Sequence, residues 1–178
     1  MLVFLLIQES TVLYLGYGSN LLAERLHRTL NATRDGIGLL KNYRLDFDYY
    51  SKRWNGYVAT IVPDTDEQLW VAVWKINSSD LTKIDAQEGV DEKIYERIIV
   101  NVEKPDGTSV EGYTYMLVNN PTTKIPLYEL PQNRKPSKIY LDVIIKGAKE
   151  SGLPENYQKM LENISNNGYN GNVSYDIH

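Results

Sequence analysis

Two short stretches hold residue types that could do chemistry. The first is Tyr14-Leu15-Gly16-Tyr17-Gly18-Ser19-Asn20-Leu21. Glycines two positions apart let a backbone turn sharply and come close to a ligand. Ser19 and Asn20 are residue types that cap helices, and the first amides of a helix can face negative charge or a developing oxyanion. A Gly-x-Gly turn can equally do no more than close a strand onto a helix. The second stretch is Ser78-Ser79-Asp80, which starts a short helix over 81–87 that Gly89 ends. Glu88 falls in its last turn, where the helix dipole disfavours negative charge. The dipole, with any burial, raises the pKa of such a carboxyl toward neutrality, which suits a general base. Position alone favours the plainer reading, a solvated glutamate at a frayed helix end.

Other constellations are weaker. The chain has no cysteine, which removes thiol catalysis, disulfides and thiolate metal sites and is compatible with a cytoplasmic protein. Its two histidines are His27 and His178. A Ser19-His27 pair would require His27 to turn back over its own helix start, so a serine triad is disfavoured. No lysine follows the glycines, so a phosphate-binding loop is disfavoured too. The net charge is −4 and no basic block stands out, which argues against nucleic acid as a partner. Lys52-Arg53-Trp54 is too short to change that. Arg25, one turn into the first helix, could face a substrate carboxylate but reads as solvated. Trp70, Trp74 and the strand tyrosines read as core.

The elements that must position these residues follow from patterning. With 178 residues and 42% hydrophobic content, the chain is expected to form one domain over 1–178. Residues 12–15 form a strand, and Leu22, Leu26 and Leu30 recur with the spacing of one helix face. Residues 34–40, with two glycines, read as a turn-rich connection. Tyr43, Leu45, Phe47 and Tyr49 then alternate with polar residues as in a half-buried strand. Residues 58–62 form a short strand ended by Pro63-Asp64, and 69–76 a strand apolar on both faces. Residues 95–102 and 110–117 flank Pro105-Asp106-Gly107, a hairpin turn. About six strands with few helices between them predict an α+β protein with a closed or nearly closed sheet. Residues 127–136 read as a loop, after which Ser137 caps a helix with Tyr140, Val143, Ile144 and Gly147 on its buried face. Gly152-Leu153-Pro154 separates it from a last helix that buries Tyr157, Leu161 and Ile164. Residues 1–10, apolar over Met1 to Ile7, read as a disordered or strand-extending start, too short to span a bilayer. No membrane partner is expected.

Tyr14-x-Gly16-Tyr17-Gly18-Ser19-Asn20-Leu21-Leu22 resembles the glycine loop of the γ-glutamylcyclotransferases. Asp85-Ala86-Gln87-Glu88-Gly89-Val90 is similar to the segment carrying that family's catalytic glutamate. The similarity continues, in order, through Arg44-Leu45-Asp46-Phe47, Ala59-Thr60-Ile61, Trp70-x-x-Val73-Trp74 and Gly147-Ala148-Lys149-Glu150-Ser151-Gly152-Leu153-Pro154. The resemblance implies a small mixed β-barrel with flanking helices. It implies Glu88 as catalytic acid/base, and substrate binding by Tyr14, Leu15, Gly16, Tyr17, Gly18 and Ser19. A looser match, resting on spacing from Gly147, implies that Tyr140 contacts substrate. One departure is Lys93, where relatives commonly have glycine, and it bears on the shape of the pocket rim.

The implied chemistry needs neither metal nor cofactor. A γ-glutamyl amino acid carries its own nucleophile, the α-amine, placed to close a five-membered ring on the γ-carbonyl. Glu88 would take a proton from the amine and return one to the leaving group, with amides around Gly18 and Ser19 on the oxyanion. The products would be 5-oxoproline and a free amino acid. Glutathione or γ-glutamylamines are the alternative substrates, and a non-catalytic binding protein on the same fold is the other class. A homodimer is compatible with the sequence, which by itself leaves oligomeric state open.

Overall fold

A computed structural model describes residues 10–173. The apolar start therefore lies mostly outside the described residues. Among those described, five strands close into a barrel: β1 (Thr11–Gly16), β2 (Thr33–Ser51), β3 (Gly56–Asn77), β4 (Tyr95–Glu103) and β5 (Ser109–Leu117). Their order around the barrel is β1-β3-β2-β4-β5, antiparallel except where β1 meets β5 in parallel at Tyr14 and Tyr113. The sheet is thus mixed and closed, as expected.

The strand count falls from about six to five for a local reason. The apolar runs at 58–62 and 69–76 belong to one strand, β3. Tyr43 pairs with Pro63 and Lys41 with Gln68, so Asp64 to Glu67 bulge out opposite Asn42 alone. Asn42 takes a left-handed φ of 66° there. Pro63-Asp64 therefore marks a bulge, a place where a sheet tolerates proline, and not a chain reversal. Residues 34–40 are likewise strand, not connection: Gly36, at φ 91°, marks a register shift between Arg34 and Ile37 inside β2.

The strict alternation expected over 43–49 also fails. Leu45, Asp46 and Phe47 are all buried, and Tyr49 is exposed with φ 50°. Asp46 is buried because it has cationic partners: Arg44 Nε lies at 3.1 Å from Oδ2, and Arg134 bonds Oδ1 and the Phe47 carbonyl. This ties the loop before the third helix to the middle of β2.

Four helices flank the barrel: α1 (Ala23–Leu26), α2 (Leu81–Glu88), α3 (Lys138–Ser151) and α4 (Glu155–Glu162), counted among the described residues. Ser137 caps α3 by accepting from Tyr140 N at 3.2 Å. Gly89 and Gly152 end α2 and α3 in the left-handed conformation that favours glycine. The buried face of α3 is Tyr140, Leu141, Ile144, Gly147 and Ala148, with Val143 at its edge. Gly147 lets α3 cross the 19–22 segment closely, since a β-carbon there would lie 2.5 Å from Leu22 N. Tyr157, Leu161 and Ile164 are buried as patterned. No helix among the described residues is long and apolar enough to cross a membrane.

Candidate active site

The glycine stretch does not start a long helix. Ser19–Leu21 is one 3-10 turn, and α1 is only four residues. Ser19 and Asn20 therefore cap nothing with their side chains. Leu21 N bonds the Gly18 carbonyl at 3.0 Å and Leu22 N the Ser19 carbonyl at 3.2 Å, so those amides are spent within the turn. Asn20 is buried and donates through Nδ2 to Tyr14 Oη at 2.9 Å. Trp74 Nε1 donates to the Asn20 carbonyl at 3.1 Å, fixing the turn to β3.

Beside this turn lie two cavities. The inner one, about 40 Å³, is walled by Tyr14, Tyr17, Gly18, Ser19, Asn20, Ala59, Glu88, Tyr95, Tyr115 and Tyr140. The outer one, about 880 Å³, opens beyond Ser19, Glu88, Tyr95 and Tyr140, which line both. Its further walls are the β2–β3 hairpin at Tyr49 to Trp54 and the segment from Gly89 to Ile94. Six of the residues singled out in the sequence thus come together: Tyr14, Tyr17, Gly18, Ser19, Glu88 and Tyr140. Leu15 and Gly16 stand apart. Leu15 is fully buried in the barrel, its carbonyl accepting from Thr114 Oγ1 at 2.9 Å. A β-carbon on Gly16 would meet the Asn20 carbonyl at 3.0 Å, so this glycine serves the packing of the turn.

Glu88 is half-buried at the end of α2. Burial pushes its carboxyl above the ordinary carboxylate range, opposed by a hydrogen bond from Gln87 and by the charges of Arg25 and Arg53. Gln87 Nε2 donates to Glu88 Oε1 at 3.0 Å, while Gln87 Oε1 accepts from Thr29 Oγ1 at 2.5 Å and Arg25 Nη1 at 3.4 Å. Arg25 is 6% exposed and lines the outer cavity, which corrects the solvated reading. Burial also raises the hydroxyls of Tyr14, Tyr17, Tyr95 and Tyr140, with the Glu88 charge adding to each, so all four stay protonated.

Known proteins resemble this chain along most of its length. The model of the AIG2-like family matches residues 68–161. The γ-glutamylcyclotransferase of Mus musculus is 37% identical over 175 residues, 96% of this chain and 87% of that protein. That of Bos taurus is 39% identical over 170 residues, covering 93% and 85%. The chain belongs to the γ-glutamylcyclotransferase family. A solved structure of a γ-glutamyl cyclotransferase superposes with a TM-score of 0.83 at 35% identity, covering 94% of this chain and 95% of that one.

Within that family frame, Lys93 has a physical account. It sits at φ 57°, in the left-handed region that glycine enters freely, and it lines the outer cavity. A lysine there carries a steric cost of roughly 1–2 kcal/mol and adds a cation to the rim. Sequence reasoning missed Asn20, Ala59, Tyr95 and Tyr115 as walls of the inner cavity. Composition carried a signal for the tyrosines: the chain has 14 tyrosines and 2 phenylalanines. A purely apolar core would use phenylalanine, because a buried phenol needs a hydrogen-bond partner.

Proposed function

We propose that this protein cyclises γ-glutamyl amino acids to 5-oxoproline, releasing a free amino acid, with Glu88 as general acid/base. The observation that carries the reading is that Glu88 and the Gly18-Ser19 turn line one small cavity, which opens into a larger one. At about 40 Å³ the inner cavity takes only part of a glutamyl group, so that arrangement suits a substrate whose glutamyl end is directed at the inner space while the leaving amino acid stays in the outer one.

The α-ammonium must lose a proton before its nitrogen can attack. Glu88, with a carboxyl raised by burial, is a stronger base than an exposed glutamate. Asn20 Oδ1, buried and without a protein partner among the described residues, offers an acceptor for the same ammonium. The nitrogen then closes on the carbon of the γ-carbonyl group and the carbonyl oxygen takes the negative charge. Amides of the Gly18-Ser19 turn support that charge. On collapse the C–N bond to the leaving amino acid breaks, Glu88 returns its proton to the departing nitrogen, and the freed carboxylate then carries the ring nitrogen's second proton to the same amine. Ring closure is intramolecular, so the site has mainly to hold the glutamyl chain curled.

Free amino acids are favoured over neutral amines as leaving groups because Arg25, Lys52, Arg53 and Lys93, set among Asp48, Glu88 and Glu92, line the outer cavity and offer partners to a carboxylate. A carboxylate on the leaving group gains from those cations. The proposal places the protein in the cytoplasm, in keeping with a chain without cysteine. Incubating the purified protein with γ-glutamyl dipeptides, glutathione and a γ-glutamyl alkylamide, and assaying 5-oxoproline, tests it. The dipeptides should be turned over fastest. A protein that binds 5-oxoproline but forms none from any of them would be the non-catalytic alternative.

A further inference from the structure

The tyrosines of the inner cavity differ in where their protons go. Tyr17 Oη donates to the Tyr115 carbonyl at 2.7 Å, and Tyr95 Oη to the Ala59 carbonyl at 2.6 Å. Tyr115 Oη donates to Asp85 Oδ1 at 2.7 Å. Each phenol has one proton, and these three are committed to protein acceptors. Tyr14 and Tyr140 are the reverse case. Tyr14 Oη accepts from Asn20 Nδ2 at 2.9 Å and lines only the inner cavity. Tyr140 Oη accepts from Ala59 N–H at 3.1 Å, and a backbone amide can only donate. The Tyr140 proton is therefore not used in that bond, and among the described residues it has no acceptor.

Resting on the cyclotransferase reading above, we propose that Tyr140 is a catalytic residue whose hydroxyl donates to the γ-carbonyl oxygen as ring closure makes it an oxyanion. Three further observations support this. Tyr140 lines both cavities, at the seam where the scissile amide lies if the glutamyl group is inside and the leaving group outside. A β-carbon built on Gly18 would lie 3.3 Å from Tyr140 Oη, so the glycine turn and this hydroxyl converge on one point. The ring is also held in advance. Its own N–H bonds the Ser137 cap, and its face meets Trp54 at 4.9 Å and Phe47 edge-on at 6.5 Å. A donor fixed before the reaction needs no reorganisation as charge develops. Burial keeps the phenol neutral, hence able to donate, across the working pH range.

The step balances as follows. Glu88 takes a proton from the α-ammonium, and the nitrogen lone pair forms the bond to the carbon of the γ-carbonyl group. The carbonyl π pair moves to oxygen, which receives the Tyr140 O–H hydrogen bond without proton transfer. The pair returns, the C–N bond to the leaving group breaks, and the Glu88 proton goes to that nitrogen. The ionised Glu88 then takes the second proton from the ring nitrogen, which becomes a neutral lactam, and passes it to the departing amine, which leaves as an ammonium. Tyr140 begins and ends as a neutral phenol.

The test is steady-state kinetics of Tyr140→Phe on a γ-glutamyl dipeptide that the wild type turns over. An interaction made only in the transition state predicts that kcat and kcat/KM fall together by about 10²–10³-fold with KM unchanged. A raised KM with kcat retained would make Tyr140 a ground-state binder and overturn the assignment. Because Tyr140→Phe also strands the Ala59 amide, a second variant keeps the oxygen: a ring-fluorinated tyrosine at 140, which ionises at lower pH. Its kcat should fall on the alkaline side at a pH where the wild type is still fully active, and a profile identical to that of the wild type would overturn the proposal. A wild type that forms no 5-oxoproline overturns the cyclotransferase reading and this assignment with it. An active wild type with an unimpaired Tyr140→Phe overturns this assignment alone.

Discussion

Gln87 Nε2 donates to Glu88 Oε1 over 3.0 Å, while Gln87 Oε1 is gripped by Thr29 at 2.5 Å and Arg25 at 3.4 Å. The carboxylate at the end of α2 is thereby held through its neighbour to the segment that follows the glycine turn. Two regions far apart in the chain meet through one amide side chain, and the position of the candidate base depends on it.

Glu88→Gln keeps shape and removes the base. Its kcat on a γ-glutamyl dipeptide should fall by about 10²–10⁴-fold. Stability has the opposite sign. A carboxyl whose pKa is raised on folding favours the fold below its unfolded pKa, and that contribution is lost as pH rises through the folded pKa. At neutral pH the ionised carboxylate is therefore a cost that glutamine lacks. Thermal unfolding at pH 7 should show Glu88→Gln as stable as the wild type or more so, and a clear drop in Tm would contradict this.

The pH profile follows from the same group. Activity should fall on the acid side as Glu88 is protonated, with a limb above the range of an ordinary carboxylate because burial raises it. The Gln87 hydrogen bond pulls the other way by stabilising the ionised form. Gln87→Met should hence move the acid limb of kcat/KM to higher pH. A limb unmoved or lowered in that variant would show that Gln87 does not tune the base.

Two glycines should fail in different ways. Gly18 has φ −105° and ψ −134°, so its place in the turn does not rest on a left-handed φ. Its β-carbon would instead stand 3.3 Å from Tyr140 Oη and 3.5 Å from the Ala59 β-carbon, within the inner cavity. Gly18→Ala should fold with a near-normal Tm yet lose turnover and 5-oxoproline binding, and Gly18→Val more so. In Gly147→Ala the new carbon would press on the Leu21-Leu22 backbone, costing roughly 1–3 kcal/mol of stability in a urea titration. Normal turnover by Gly18→Val would move the site away from this turn.

Arg134→Ala should destabilise without touching the cavity. Asp46 is 1% exposed, and losing Arg134 leaves it with Arg44 as its cationic partner beside the Phe47 amide. Removing one partner of a buried pair costs about 3–5 kcal/mol, and the surviving Arg44 contact puts the expected loss near the lower end. Urea unfolding measures it. A change within error would mean that the loop before α3 holds its place without this pair.

Local signals were enough for much of this molecule. Gly89 and Gly152 stop helices, Ser137 starts one, and Pro105-Asp106-Gly107 reverses the chain, because each depends on residues only a few positions apart. Glu88 stood out for the same reason, as a carboxylate at the wrong end of a helix. Long-range partners decided the rest. Pro63 stays inside β3 because β2 runs alongside it and absorbs the extra residues as a bulge. Asp46 turns inward because Arg134, 88 positions away, supplies its counter-charge. Ser19 and Asn20 look like helix caps in isolation, yet α3 crossing at Gly147 and the Trp74 bond accompany a tight turn in which Asn20 faces Tyr14. Tyr17, Tyr95, Tyr115 and Tyr140 are alike as residues. Which of them holds a proton to spare depends on whether a carbonyl, a carboxylate or an N–H lies opposite, and only the closed barrel brings those partners within 3.1 Å.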